Sequence, residues 1–561
     1  MRSARFGSDR EQDTHTAGFA ERVRANQQKL TAQLKPHYDF IVCGSGSSGS
    51  VVARRLAENV DVSVLLLEAG GSDDMPSIME AGQWPLNLGS ERDWAFVGQP
   101  NPNLNGRSIP LNMGKVLGGG SSINVMIWAR GHKNDWDFFA AEARNPAWSY
   151  ESVLNIYRRI EDWHGAPDPT RRGTGGPAFV QPAPDANPVA PAMLEAARSV
   201  GIPTFESQNG LMMEGEGGAS IMDLRVRDGM RQSVFRSYVF PYMDRPNLTV
   251  LCHALVTRLV MNGKQASGVE IVHDGKVQRI TAGVEVVLSL GAIHTPKVLM
   301  LSGIGDQAEL QRLGIPAVQH LPGVGANFQD HVGFGCVWEY PQSSRPRNNM
   351  AEATYFWKSD SDLDTPDLQT CQGDVPMCSA ETAAQFNPPA SSWTLMAGLV
   401  RPKSRGRIRL TGTDPRDPVE IEANTLAHPD DMRAAVASVE LCREIGNSNP
   451  LSPFVKREVM PGNLKGAALE NFIRDAASTY WHQACTAKMG HDAMSVVDGS
   501  LKVHGIDNLR IADGSIMPRV TTGNTMAPCV VIGERAAEIL KIAHRCDKSS
   551  GSVPQRARLS S

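Results

Sequence analysis

Residues 44–49, Gly44-Ser45-Gly46-Ser47-Ser48-Gly49, have the spacing of a turn that holds a dinucleotide. In such a turn the first glycine permits the tight bend and the second lets backbone approach a pyrophosphate. The third lets helix and strand pack closely. A helix starting there presents unpaired N–H groups to the phosphates. Glu68 stands 19 residues past Gly49, where a carboxylate can accept the hydroxyls of an adenosine ribose. Turn and acid point to a dinucleotide cofactor without separating NAD from FAD. A second cluster, Gly114-Lys115-Val116-Leu117-Gly118-Gly119-Gly120-Ser121-Ser122-Ile123-Asn124, is too permissive for a helix or strand and by itself reads as a loop.

The C-terminal third adds groups that can move or hold a proton. Tyr480-Trp481-His482-Gln483-Ala484-Cys485-Thr486 is followed by Ala512-Asp513-Gly514 and then by Thr521-Thr522-Gly523-Asn524-Thr525. Histidine titrates near pH 6.5, which suits a proton acceptor at working pH. By residue type alone, His482 has no more claim to that role than the other 13 of the chain's 14 histidines.

The elements that must position these residues follow from pattern. Tyr38 to Cys43 reads as a short buried strand, Ser50 to Glu58 as a helix, and Val62 to Leu67 as a strand buried on both faces. Glu68 lies at the carboxyl end of that strand. Segment 71–111, rich in Gly, Pro, Asn and Trp, reads as a long ordered excursion, and 165–191 as a crossing between domains. Strands are predicted over Leu248 to Met261, Ser267 to His273 and Glu285 to Leu290, with a helix from Pro296. Region 341–392 reads as irregular, Arg407 to Leu410 and Val419 to Ile421 as strands, and Pro429 to Ile445 as a helix. Before the first strand, Phe19, Val23, Leu30 and Leu34 make one thin helical stripe on a polar arm, read as docked or frayed.

Composition bounds the function. The 561 residues are 41% hydrophobic and 21% charged with a net charge of −4, so the chain is globular and lacks the basic surface of a nucleic-acid or membrane-surface binder. The near-neutral balance fits a small uncharged substrate. No run approaches the roughly 18 apolar residues of a membrane span. The N-terminus lacks the apolar core of a secretory signal. The nine cysteines are scattered with no metal-ligand spacing, so reduced thiols, no metal and a cytoplasmic location are expected.

The longer motifs resemble those of the glucose-methanol-choline oxidoreductases, a family of FAD-dependent enzymes. Gly114 through Trp128, Gly131 and Asp137 is similar to the family's first signature, and Gly291-Ala292-Ile293-His294-Thr295-Pro296 through Gly305 to its second. Leu321 to His331 is similar to another family stretch, and the resemblance runs from about residue 37 to 541. It implies an α/β fold, α+β overall. A Rossmann-like FAD-binding domain would be built from discontinuous segments (36–160, 231–335 and 479–545). A substrate domain with an antiparallel sheet and helices would occupy 161–230 and 336–478, with an arm at 1–35 and a polar tail at 546–561.

The resemblance also implies roles for single residues. Gly46, Ser47 and Ser48, flanked by Gly44 and Gly49, would face the pyrophosphate, with Glu68 on the ribose and Val256 near the adenine. Val116, Gly118, Ser122, Asn124 and Met126 would lie along the flavin, and Trp481, Asp513 and Thr525 would also touch the cofactor. Ile123 replaces the histidine through which some members tether FAD, so non-covalent FAD is expected. The motif around His482 makes it the base that takes a hydroxyl proton while hydride leaves the same carbon. Asn524 matches the second catalytic position and would hold the substrate oxygen. Cys485 departs from the family's usual glycine before Thr486. The expected reaction oxidises a primary alcohol to the aldehyde, with O2 or a quinone-like acceptor taking the electrons. FAD-dependent lyases and decarboxylases of the same family are the rival reading.

Overall fold

The computed structural model describes residues 16–546. The first 15 residues of the arm and all of the polar tail but Cys546 lie outside the described residues. Helix α1 (Ala17–Ala32) buries Phe19, Val23 and Gln27, so the described part of the arm is docked. The Gln27 amide donates to the carbonyls of Met243 and Leu248 and accepts from Val250 N–H, in effect extending the ladder at a sheet edge.

That sheet is built on β1 (His37–Cys43) and β2 (Val64–Leu67), with β3 (Leu248–Leu251), β4 (Leu255–Asn262), β5 (Gln265–His273) and β6 (Lys276–Leu288). The strand order is β3-β2-β1-β6-β5-β4, and Leu509–Ile511 also pairs with β6. The contacts β3–β2, β2–β1, β1–β6 and β6 with Leu509–Ile511 are parallel, whereas β6–β5 and β5–β4 are antiparallel. The 13-residue β6 serves both halves. The predicted single strand from Leu248 to Met261 is two strands, because His253 takes φ +54° between them and sends the chain out of the parallel ladder.

Helix α2 (Ser47–Ala57) follows β1 directly, three residues earlier than its pattern predicts. Helix α3 (Gly291–Leu301) likewise begins five residues before the predicted start at Pro296. Proline inside a helix leaves the carbonyl four residues back without its N–H partner. Here that carbonyl is Ala292 O, and Thr486 Oγ1 donates to it at 2.5 Å.

The second sheet is entirely antiparallel. It contains β7 (Val332–Glu339), β8 (Ala353–Trp357), β9 (Leu368–Gly373) and β10 (Ser392–Leu399), in the order Arg457–Met460, β7, β10, β9, β8, Gly218–Ile221, with Ser478–Thr479 also on β7. This corrects the irregular reading of 341–392, which supplies two of these strands, the helix Ala380–Phe386 and the start of β10. Helix α4 (Pro429–Gly446) covers the sheet. The chain then returns to the first sheet and ends in α5 (Met526–His544), packed on α2. Among the described residues no helix is long and apolar enough to cross a membrane, and Cys43, Cys252, Cys336, Cys371, Cys378, Cys442, Cys485 and Cys529 are free thiols.

Candidate active site

In open α/β sheets ligands gather beyond the carboxyl ends of parallel strands. Here β1 and β2 run into the Gly44–Gly49 turn and Glu68, and above them opens a cavity of about 1450 Å3, mouth included. Its walls bring together Gly44, Gly46, Ser47, Ser48, Glu68, Asn124, Met126, Trp481, His482, Asp513, Asn524 and Thr525. Gly49, Val116, Gly118, Ser122 and Val256 do not line it. Val116 packs with Ile78 and Ile123, Ser122 Oγ donates to Leu117 O at 2.6 Å, and Val256 pairs with Ile271 within the sheet.

The two glycine clusters touch. Gly119 adopts φ +53°, and a Cβ there would lie 2.9 Å from Gly46 Cα. A Cβ on Gly49 would meet Gly44 O at 1.9 Å, so the third glycine of the turn is required by packing. Gly46 itself has nothing within 4 Å of an added Cβ, and so bares backbone to the cavity. The first-turn N–H groups of α2 have no intrahelical partners and open beside it. These features fit a pyrophosphate.

Glu68 Oε2 accepts from Ser45 N–H (3.2 Å) and Ser45 Oγ (2.6 Å), and its Oε1 accepts from Gly70 N–H (2.9 Å). Burial raises its pKa above the ordinary carboxylate value. Three protein donors leave about one of its four lone-pair directions for a ribose hydroxyl. Asp513 accepts from Gly291 N–H, Thr295 Oγ1 and Ser515 N–H, tying the start of α3 to the segment before α5.

At the other end of the cavity, sheet register builds the polar pair. Val332 of β7 pairs with Thr479, so the next residues outward, His331 and Tyr480, face each other, and Tyr480 N–H donates to His331 O at 3.0 Å. His482 N–H then donates to Asp330 Oδ1 (2.9 Å), which sets the backbone of the loop. His482 Nε2 lies 3.2 Å from Asn524 Nδ2, and its Nδ1 lies 2.9 Å from His331 Nδ1. Asn524 follows Gly523, whose φ of +103° turns the chain into α5. Gln369 Nε2, from β9, donates to Asn524 Oδ1 at 3.3 Å. The amide NH2 is thereby directed at His482.

Burial holds the His482 pKa down to about 3. Burial, and then the neighbouring His482, keep His331 well below the usual histidine value. Both rings are therefore neutral at pH 7, and His482 can accept a proton at Nε2 next to an amide donor. His331 and Gln369 were given no role from sequence. His331 closes the Leu321 to His331 stretch, which is a usable signal, whereas Gln369 belongs to β9, buried at every position and so without the alternation that marks a strand. His294 also lines the cavity, held between Trp94 and Phe96 with ring centroids 4.1 and 5.1 Å away.

Cys485 has φ +76° and is fully buried. The left-handed backbone that glycine would adopt freely is thus retained with a side chain present.

Comparison with known proteins agrees with this architecture. GMC oxidoreductase profiles match residues 38–333 and 402–533. The chain is 38% identical over 538 residues to the oxygen-dependent choline dehydrogenase of Stenotrophomonas maltophilia (strain R551-3), covering 90% of this chain and 95% of that protein. It is 35% identical over 553 residues to the enzyme of that name from Citrobacter koseri, covering 92% and 97%. Among solved structures, pyridoxine 4-oxidase from Mesorbium loti superposes with a TM-score of 0.85 at 30% identity, covering 89% of this chain and 98% of that one. A formate oxidase variant of Aspergillus oryzae RIB40, studied for its FAD modification, gives 0.82 at 27%, covering 91% and 99%. With sequence profiles, full-length relatives and fold in agreement, the chain belongs to the GMC oxidoreductases, the family of FAD-dependent alcohol oxidoreductases that its glycine motifs resemble.

Proposed function

We propose that the protein oxidises a primary alcohol to the aldehyde, with His482 as base and Asn524 as oxygen-binding partner. The observation that carries this reading is the convergence of His482 Nε2 and Asn524 Nδ2, 3.2 Å apart, on the cavity that the two glycine clusters floor. FAD, when bound, supplies the hydride acceptor. His482 takes the hydroxyl proton on Nε2. Asn524 donates from Nδ2 to the substrate oxygen as negative charge develops, and being an amide it does not share the proton. The N-terminus of α5 opens beside Asn524 and adds a favourable dipole.

The cofactor roles assigned from the resemblance belong to this proposal: Gly46, Ser47 and Ser48 at the pyrophosphate, Glu68 at the ribose, and Asn124, Met126, Trp481, Asp513 and Thr525 around the remainder. So does the division into discontinuous FAD-binding segments and a substrate domain. FAD is held without a covalent bond, since Ile123, at the cavity wall, offers only carbon. Electrons leave to O2 or a quinone-like acceptor, and the names of the bacterial relatives make choline the first alcohol to try.

The test is anaerobic mixing of the holoenzyme with a panel of alcohols, followed by air. Flavin bleaching by an alcohol supports the reading, and the rate of recolouring separates the two acceptors. A flavin that no alcohol bleaches would transfer the protein to the FAD-dependent lyase or decarboxylase reading.

A further inference from the structure

The charge content of the cavity bears on its substrate. Among the described residues that line it, Glu68 and Asp513 are the acids, and there is no lysine or arginine. Both acids belong to the end built from the glycine turns and α3, and both are engaged by protein donors. Beside His482 and Asn524 the lining is one apolar cluster of Trp84, Val125, Met126, Ile127, Tyr480 and Trp481, with Tyr480 stacked on His482. Asp330, directly behind His482, is occupied by donors from His482 N–H, Thr479 Oγ1 and Gln483 Nε2.

Two of these walls are held in conformations that bulky residues avoid. Met126 has φ +58° and Trp481 φ +62°. Strained backbone of this kind concentrates at ligand-binding positions. Met126 N–H donates to Asn124 Oδ1 at 3.0 Å. Trp481 N–H donates to Thr479 Oγ1 at 2.6 Å, and its indole N–H reaches Asn112 Oδ1 at 3.1 Å. The Trp84 indole donates to Asn349 O. Trp84 and Trp481 meet edge to face, with centroids 6.2 Å apart and planes at 69°.

A permanent cation entering this chamber would shed its hydration with no carboxylate to replace it. An aromatic cage for a quaternary ammonium needs ring faces on different sides of the cation, each within about 6 Å. Trp84 and Trp481 meet edge to face, which does not set two ring faces opposite each other across a gap, and the third ring, Tyr480, stacks on His482. A flat neutral ring meets the opposite situation, with apolar area to bury and indole edges to pack against.

We infer that the substrate is an uncharged primary alcohol borne on an aromatic ring, and that the chamber discriminates against quaternary ammonium alcohols. This rests on the alcohol-oxidising reading above. The test compares anaerobic flavin bleaching of the holoenzyme by benzyl alcohol, 3,3-dimethylbutan-1-ol and choline. The last two share one shape, with carbon in place of charged nitrogen. The expected order is benzyl alcohol, then the neutral isostere, then choline, with choline about a hundredfold below its isostere in second-order rate. Choline matching or exceeding the isostere would overturn the inference while leaving alcohol oxidation intact. Benzyl alcohol no better than ethanol would overturn the aromatic part. Bleaching by none of these or of the wider panel would remove the underlying reading, and this one with it. Trp481→Leu is expected to narrow the advantage of benzyl alcohol over ethanol about tenfold. Unchanged selectivity in a folded, FAD-loaded variant counts against the wall assignment, and if the variant does not fold the wild-type series decides alone.

Discussion

The Nδ1 atoms of His331 and His482 lie 2.9 Å apart in a buried, edge-to-face pair of rings. One nitrogen must carry the proton and the other must accept it. If His482 is to receive a substrate proton on Nε2, its Nδ1 holds the hydrogen and His331 Nδ1 accepts. His331 then carries its own hydrogen on Nε2, a buried atom with no hydrogen-bond partner among the described residues. The pair holds the ring orientation of His482, the proposed base, and the Asn524 NH2 directed at Nε2 by Gln369 selects the tautomer.

His331 is therefore a positioning residue, and His331→Asn should lower the bleaching rate about a hundredfold through a misplaced base. FAD content should stay at wild-type level. A merely structural role would leave the pH dependence of bleaching unmoved, whereas loss of the Nδ1 acceptor should shift it. A pH profile identical to wild type would refute the positioning role.

Replacing His482, the proposed base, should have a larger effect. His482→Ala should slow anaerobic bleaching by about 10²- to 10⁴-fold, the usual contribution of a general base, with the flavin still bound. A variant that bleaches at the wild-type rate would end the assignment.

Asn524 is oriented by Gln369, so the two should fail in related ways. Asn524→Ala removes the donor and should cost about 10²- to 10³-fold in rate. Gln369→Leu leaves the donor but frees the amide to rotate, and a smaller loss is expected, measured by the same rapid-mixing assay.

Acid sensitivity follows from the buried imidazole. An unfolded histidine gains its proton below about pH 6.5, whereas folded His482 resists down to about 3. Between those values the unfolded state binds the extra proton, so stability falls as pH falls, by up to about 1.4 kcal/mol per pH unit. His482→Gln removes this dependence. Its melting temperature should decline less steeply than that of wild type between pH 6.5 and 4.

Cys485 gives a stability test. A non-glycine residue in left-handed backbone costs about 1 kcal/mol, and the lost burial of the thiol offsets part of the gain on its removal. Cys485→Gly should keep activity and melt within a few degrees of wild type. Cys485→Val, β-branched at φ +76°, should melt well below it.

The proposed cofactor turn is legible in sequence because its parts are local: Gly44, Gly46, Gly49 and Glu68 belong to one strand–turn–helix–strand unit. The strands of region 341–392 are not. β9 reads Leu-Gln-Thr-Cys-Gln-Gly, and all six residues are buried, so polar side chains satisfied inside the protein erase the alternation that marks a strand. Gln369 was lost with it. The starts of α2 and α3 were placed late because serine, glycine and proline weaken the helical pattern, while the bond from Thr486 to Ala292 O is invisible without the fold. The pairing of His331 with His482 depends on the register of Val332 with Thr479, which no motif states.

That bond from Thr486 also dates the assembly of the protein during its synthesis. Thr486 and Ala292 are 194 positions apart, and Leu509–Ile511 joins β6 later still. A ribosome delivers the Gly44–Gly49 turn long before Thr486, which completes α3, and before Asn524, which faces His482. Such distant closures make folding slow and leave apolar strands bare in the interval. A nascent chain halted before residue 480 would be a client for chaperones, and the first sheet and the polar pair are complete only once Leu509–Ile511 and Asn524 have been made.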